Sequence, residues 1–448
     1  MNETSPSASP GDGASPADPA LPAAAADAPA AAAAPLAAAS AAVTPPLAGV
    51  TPAGPHEPAK IRLAAAVDAA RDEILALSHR IHAHPEPAFE EVQAATWIAE
   101  TLRRHGFTVE HPAGSLATAI RAVRAGGRRG AGTGPTPRIG ILAEYDALPG
   151  LGHGCGHNTM AASGVGAAIA LAALADELPG EIVFLGTPAE ERGSGKKIMI
   201  DDGLFEGIDA ALLFHPCDRS HIGSFPLASE DVDVVFHGLQ AHAAADPWKG
   251  RNALDAMITL FSSVGLWRQQ LRPEARVHGI IQEGGTAANI IPERTRAWFM
   301  LRSPDQEYYE EIKARFRELV DAAALATGTT AEIAFSGGAM TMKPNPTLER
   351  RWVANAAAYG IVDQGPDAAS GSTDMGNVSW FCPTIHPELA IAPEGTPGHS
   401  ILFRDAAVTP AADATTLLAA TLVAQTAYEL FADPELVAAA WRDFRADA

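Results

Sequence analysis

Apolar residues recur at helical spacing over 61–76 and again over 91–105, where the run closes at Gly106. Both segments are predicted to be amphipathic helices. Three short apolar runs follow at 139–143, 182–185 and 210–214, with helix-like stretches such as 159–178 between them. Strand alternating with helix predicts an α/β unit built on a mixed, mostly parallel sheet. From residue 232 the rhythm changes: strand 232–236, helix 252–271, strands 276–281 and 294–302, helix 306–326, strand 330–335. That β-α-β-β-α-β succession is the ferredoxin-like pattern. After residue 345 the chain returns to mixed helix and strand and ends in an apolar helix over 411–431, so the second unit reads as an insertion in the first. The boundaries that follow are a tail over 1–59, the larger domain over 60–228 and 343–448, and the insertion over 229–342.

The tail is a run of Ala, Pro, Ser and Gly without the basic start and Leu- or Ile-rich segment of a secretory signal. Its Ala-rich part, 23–43, is broken by Pro29 and Pro35 and is too weakly apolar to span lipid, so a disordered tail is expected. At 448 residues the chain is too long for one compact unit, which agrees with two domains. Its 53 acidic against 32 basic residues give a net charge of -21. A polyphosphate would be repelled over most of the surface, which argues against nucleic acid and anionic membranes as partners. Cys155, Cys217 and Cys382 are odd in number and far apart, unlike a disulfide framework. A reducing compartment, the cytoplasm, is expected.

Ligand sites in open parallel sheets form beyond the carboxyl ends of the strands. The first run leads into Glu144, Tyr145 and Asp146 and then a loop, Gly152-His153-Gly154-Cys155-Gly156-His157-Asn158. The second leads into Glu190 and Glu191, the third into His215. Three strands thus deliver Cys, His, Glu and His to one rim. Flanking glycines let Cys155 and His157 turn toward one point, and a thiolate has lone pairs enough to bridge two cations. Adjacent glutamates after a strand leave the backbone in different directions, so one can bind metal while the other holds a water and takes its proton. A dinucleotide loop does not fit. Starting G-x-G-x-x-G at Gly150 puts Cys155 on the last glycine, and starting at Gly152 puts His157 there. A cysteine hydrolase with Cys155 as nucleophile and His157 or His215 as base needs fewer parts, but leaves Glu191 and His399 unexplained.

At these residues the chain resembles metallopeptidase family twenty, in its amidohydrolase branch, which includes aminobenzoyl-glutamate hydrolase and the β-alanyl-lysine type dipeptidase. The resemblance runs from His79 onward through 79–86, 144–150, the Cys155 loop, 187–191, 240–244, 289–292, 372–376 and 397–400. It implies a zinc-peptidase type catalytic domain carrying an inserted ferredoxin-like lid and dimerisation domain. It also implies two divalent metal ions per subunit, zinc or manganese, on Cys155, His157, Glu191, His215 and His399, with Cys155 bridging. Glu190 falls on the general base and Asp146 on a carboxylate that orients a ligating histidine. His242 matches a lid histidine that reaches a partner subunit's site in a homodimer, and Asn289 matches a substrate contact. Cys217 is read as a core residue, and His153 and His386 as residues that bind no metal. The loop ends in His157-Asn158, unlike the His-Asp of the auxin-conjugate enzymes, and so looks more like the dipeptidase and aminobenzoyl-glutamate members.

The implied reaction is hydrolysis of a small N-acyl or aminoacyl amide with a free carboxylate, through a metal-bridged water. Arg302, which follows a strand of the insertion, is the expected carboxylate anchor. A third possibility, a non-catalytic binding protein on a degenerate fold with its tail as a tether, would be expected to have lost ligands. Every matched position here carries a competent one.

Overall fold

The computed structural model describes residues 56–127, 136–222, 226–365 and 371–446. The expected tail lies outside the described residues as far as 55. Its assumed end at 59 is too late, because α1 (Glu57–Ala69) already begins there, with a proline in the first turn where a missing N–H costs nothing. The helix expected over 61–76 is two helices, α1 and α2 (Arg71–Ala83), meeting at Ala70. Alanine is the best helix former, so packing sets this break and not propensity. Leu63 and Val67 on one side, and Ile74, Leu77 and Ile81 on the other, each bury a separate stripe. α3 (Val92–Arg104) matches its periodic run.

The main sheet begins with β1 (Thr108–Glu110) and β2 (Ile120–Ala125), an antiparallel pair with β1 at the sheet edge, which the apolar pattern does not announce. β3 (Arg138–Glu144) is followed by α4 (His157–Ala173), β4 (Glu181–Thr187), α5 (Gly195–Asp201) and β5 (Ala210–Leu212). β3 lies between β4 and β5 and runs parallel to both, and β2 pairs antiparallel with the far side of β4. β3 and β4 are buried along nearly their whole length, which is why they read as unbroken apolar runs. The third run is shorter than its pattern: it stops at Leu212, and β6 (His215–Cys217) starts a separate pairing.

β7 (Ala228–His237), β8 (Ala241–His242), α6 (Ala253–Trp267), β9 (Arg276–Glu283), β10 (Ile290–Ile291), β11 (Arg294–Ser303), α7 (Gln306–Thr327) and β12 (Thr330–Ala339) come next. β12, β7, β11 and β9 make a four-stranded antiparallel sheet in that order. Val232, Val234 and Phe236 of β7 and Ala297, Phe299 and Leu301 of β11 turn one face toward α6 and α7, forming a hydrophobic cluster separate from the main one. Alternation gives the other face Asp231, Asp233, Arg296 and Arg302 together with Val235, Trp298 and Met300.

α8 (Pro346–Ala357), α9 (Met375–Ser379), β13 (Thr384–Ile385), β14 (Glu388–Ala390), α10 (Ile401–Ala406), α11 (Pro410–Ala432) and α12 (Pro434–Ala446) complete the chain. β13 extends the main sheet beside β5, and β14 runs parallel to β6. α4 and α11 are apolar on nearly every side because they pack against each other inside the main cluster. Among the described residues no helix is long and apolar enough to cross a membrane.

Candidate metal centre

The carboxyl ends of β3, β4 and β5 open on a cavity of about 580 Å³, walled by the main unit on one side and by β7, β11 and β12 on the other. Glycine builds the approach. Gly156 has φ +78, and a side chain there would strike the Pro216 ring at 2.8 Å, so only glycine lets the Cys155 loop fold against β6. Ala189, Ser194 and His399 hold left-handed backbone although none is glycine, with φ of 60, 55 and 52. Such residues cost roughly 1–3 kcal/mol each and cluster where function fixes the backbone. The Ala189 N–H is met by the buried carboxyl of Glu91 at 2.8 Å, which also accepts from the Thr118 hydroxyl at 2.9 Å. Burial pushes the Glu91 carboxyl up to about 7.

Five expected donors come together. Cys155, His157 and His215 bring one ligand atom each to within 4.8 Å of one another, and so do Cys155, Glu191 and His399. The two triads share the Cys155 sulfur. His157 Nδ1 lies 3.0 Å from both the carbonyl and Oδ1 of Asp146, so Nδ1 donates and Nε2 is the nitrogen turned toward the cluster. The other Asp146 oxygen accepts from the Glu191 N–H at 2.9 Å, which ties the two triads to one carboxylate. His399 Nε2 stands 3.5 Å from Glu191 Oε2, and its backbone N–H donates to Gly154.

Sequence reasoning gives Glu144 a strand end but no role, and it does not single out Lys196. In the structure Glu144 Oε2 sits 3.3 Å from His157 Nε2. Its Oε1 accepts from the fully buried Lys196 ammonium at 2.5 Å, and that ammonium also reaches Asp374 Oδ1 at 2.5 Å. The second Asp374 oxygen accepts from the Lys196 backbone N–H. Burial works against ionisation of Glu144, but Lys196 and then His157 outweigh it and hold the carboxyl down at about 2. The available signal was a charged residue closing an otherwise apolar strand.

Glu190 lies beside Glu144 and His157. Burial, and then Glu144, Glu191 and Asp374, push its carboxyl well above the usual range. A divalent cation among these carboxylates would reverse that push. The donor set fits such a cation on another count: Glu144 Oε2, His157 Nε2 and Glu191 Oε1 are buried and have no hydrogen-bond partner among the described residues. Burial and Glu191 push the Cys155 thiol well up, the opposite of what a nucleophilic cysteine needs.

The remaining expected residues are divided between the wall of this cavity and positions away from it. Arg302 lines the cavity from β11, and Arg192 lines it as well, a second guanidinium that sequence reasoning misses. His242 and Asn289 are neighbours on the insertion, with the Ala243 N–H donating to the Asn289 carbonyl, and neither lines this cavity. His386 is buried beside His215 on the cavity wall, at a ring distance of 5.4 Å, and burial lowers it to about 4. Cys217, expected in the core, is instead half-buried and faces the cavity, because β6 turns its odd-numbered side chains the same way as His215.

Residues 140–420 match peptidase family M20/M25/M40. The Xaa-Arg dipeptidase of Homo sapiens is 36% identical over 408 residues, 86% of this chain and 92% of that protein. A p-aminobenzoyl-glutamate hydrolase polypeptide of Escherichia coli K12 is 29% identical over 83% of this chain and 92% of its own length. A crystal structure described as a dinuclear metal-binding peptidase of Bacillus subtilis shares the fold, with a TM-score of 0.60 at 21% identity, covering 80% of this chain and 98% of that one. A family match over residues 140–420, more than half of the chain, joined to a relative similar over most of its length, means that this chain belongs to the M20/M25/M40 peptidase family.

Proposed function

We propose that the chain hydrolyses the amide bond of a small aminoacyl or N-acyl conjugate bearing a free carboxylate, of the dipeptide or aminobenzoyl-glutamate kind. The observation that carries this reading is the pair of donor triads meeting at one sulfur. Cys155, His157, Glu191, His215 and His399 would hold two divalent ions, zinc or manganese. Bound there, they would supply Lewis acidity toward the amide carbonyl and toward water. Glu190, next to the cluster but outside both shared-sulfur triads, takes a proton from water and returns it to the leaving amine. Asp146 keeps His157 in the tautomer that offers Nε2 to the centre. Arg302, with Arg192 nearby, pairs with the substrate carboxylate and sets the amide across the rim. The three free cysteines suit a reducing compartment such as the cytoplasm.

Residues 229–342 act in this reading as a ferredoxin-like lid through which two copies associate. β9 is an edge strand whose Ile280 and Ile281 are 56% and 43% exposed, a surface suited to strand pairing with a second copy. His242 and Asn289 then complete the partner's site. Sedimentation at assay concentration that finds only monomer in an active preparation would remove this part of the proposal.

The reaction is tested by offering aminobenzoyl-glutamate, β-alanyl dipeptides, Xaa-Arg dipeptides and N-acyl amino acids to metal-stripped protein with zinc or manganese added back. Hydrolysis that disappears on stripping and returns with metal is expected. Full activity in the stripped protein would favour Cys155 as nucleophile, and inertness toward the whole panel would favour a binding protein.

A further inference from the structure

A second donor cluster lies on the wall of the same cavity, outside the five positions above. β14 runs parallel to β6 and sets Glu388 beside His215 and Ala390 beside Cys217. Beyond Cys217 the chain turns so that His221 faces Glu388 across two backbone hydrogen bonds: His221 N donates to the Glu388 carbonyl at 3.0 Å, and Glu388 N to the His221 carbonyl at 2.8 Å. The side chains converge from this frame. His221 Nε2 is 3.2 Å from Glu388 Oε2, and one ligand atom each from Cys217, His221 and Glu388 lie within 4.8 Å of one another. Asp218 adds a neighbouring carboxylate, its Oδ1 at 3.4 Å from the Cys217 sulfur and its Oδ2 accepting from Gly395.

Sulfur, imidazole nitrogen and carboxylate oxygen together are the donor set of zinc and similar ions, whereas magnesium and calcium call for oxygen throughout. His221 is buried, while Cys217 is half-buried and lines the cavity, so the cluster has a closed back and an open front where a water can complete four-coordination. The double backbone pairing fixes the main chain that carries two of the three donors before any ion arrives, which lowers the cost of ordering them. Two carboxylates beside one thiol also concentrate negative charge that a divalent cation would neutralise.

We propose that Cys217, His221 and Glu388 bind one thiophilic divalent cation of the zinc class, separate from the Cys155 cluster. The site does not depend on the hydrolase reading. Full-length protein equilibrated with buffered micromolar free zinc is analysed for metal alongside Cys217→Ala and Glu388→Gln. The wild type is expected to hold about one zinc per chain more than either variant. Introducing Cys217→Ala into a Cys155→Ala background is expected to remove the same amount, which separates this site from the other cluster. Alkylation of Cys217, mapped by peptide mass in wild-type protein, is expected to slow several-fold when zinc is added. Equal zinc in the wild type and a folded Cys217→Ala variant, or a Cys217 alkylation rate indifferent to zinc, would overturn the proposal.

Discussion

Glu190→Gln is expected to lower turnover by roughly 10² to 10⁴ while metal content barely changes. The substitution keeps the size and hydrogen-bonding reach of the side chain and removes only its ability to accept a proton. Glu191→Gln is expected to do the reverse. Glu191 shares a donor triad with Cys155 and His399, and one of its oxygens is buried without a hydrogen-bond partner among the described residues. Exchanging that charged oxygen for an amide weakens a ligand, so metal is lost and activity returns in part when metal is supplied in excess. A surface pair of glutamates would show no such split. If Glu190→Gln lost metal while Glu191→Gln kept it, the two assignments would be exchanged; if both stayed fully active, the mechanism would be wrong.

Lys196→Met is expected to destabilise the fold by about 3–5 kcal/mol, the usual cost of removing one partner from a buried ion pair. Its ammonium is fully buried and answers two buried carboxylates, Glu144 and Asp374, at 2.5 Å each. Methionine fills the space but leaves both charges unpaired. Glu144 sits well below its unfolded value, so its stabilising contribution is present above about pH 4.5 and is lost as pH falls through about 2. Removing Lys196 should therefore weaken the gain in stability that the wild type shows as pH rises from acid. Chemical unfolding measured across the acid range reads both effects. An unfolding free energy within about 1 kcal/mol of wild type would mean that the triad does not hold this end of β3.

The sheet and most helices were legible because burial writes itself into the sequence with a period. β3 and β4 are buried on both faces and read as apolar runs; β7 and β11 are buried on one face and alternate. β1 and β2 carry Arg121 and Arg124 and form an antiparallel edge, and their mixed pattern has no clear period. Cys155, His157, Glu190, Glu191 and His215 could be gathered from sequence because each follows a strand end. Lys196 could not, since its partners are 52 and 178 residues away and its charge resembles that of the exposed Lys197 beside it. The same limit applies to Cys217, whose neighbour Glu388 arrives from a strand far along the chain. Local pattern reports which face of an element is buried; it does not report which elements meet.

Cys155 joins two donor triads, and elemental analysis of purified full-length protein tests a metal centre there most directly. The expected result is close to two ions per chain in the wild type, beyond whatever the Cys217 cluster holds, with clear loss in Cys155→Ala and further loss when His157→Ala is added. Unchanged metal content in the folded Cys155→Ala, His157→Ala double variant would contradict it.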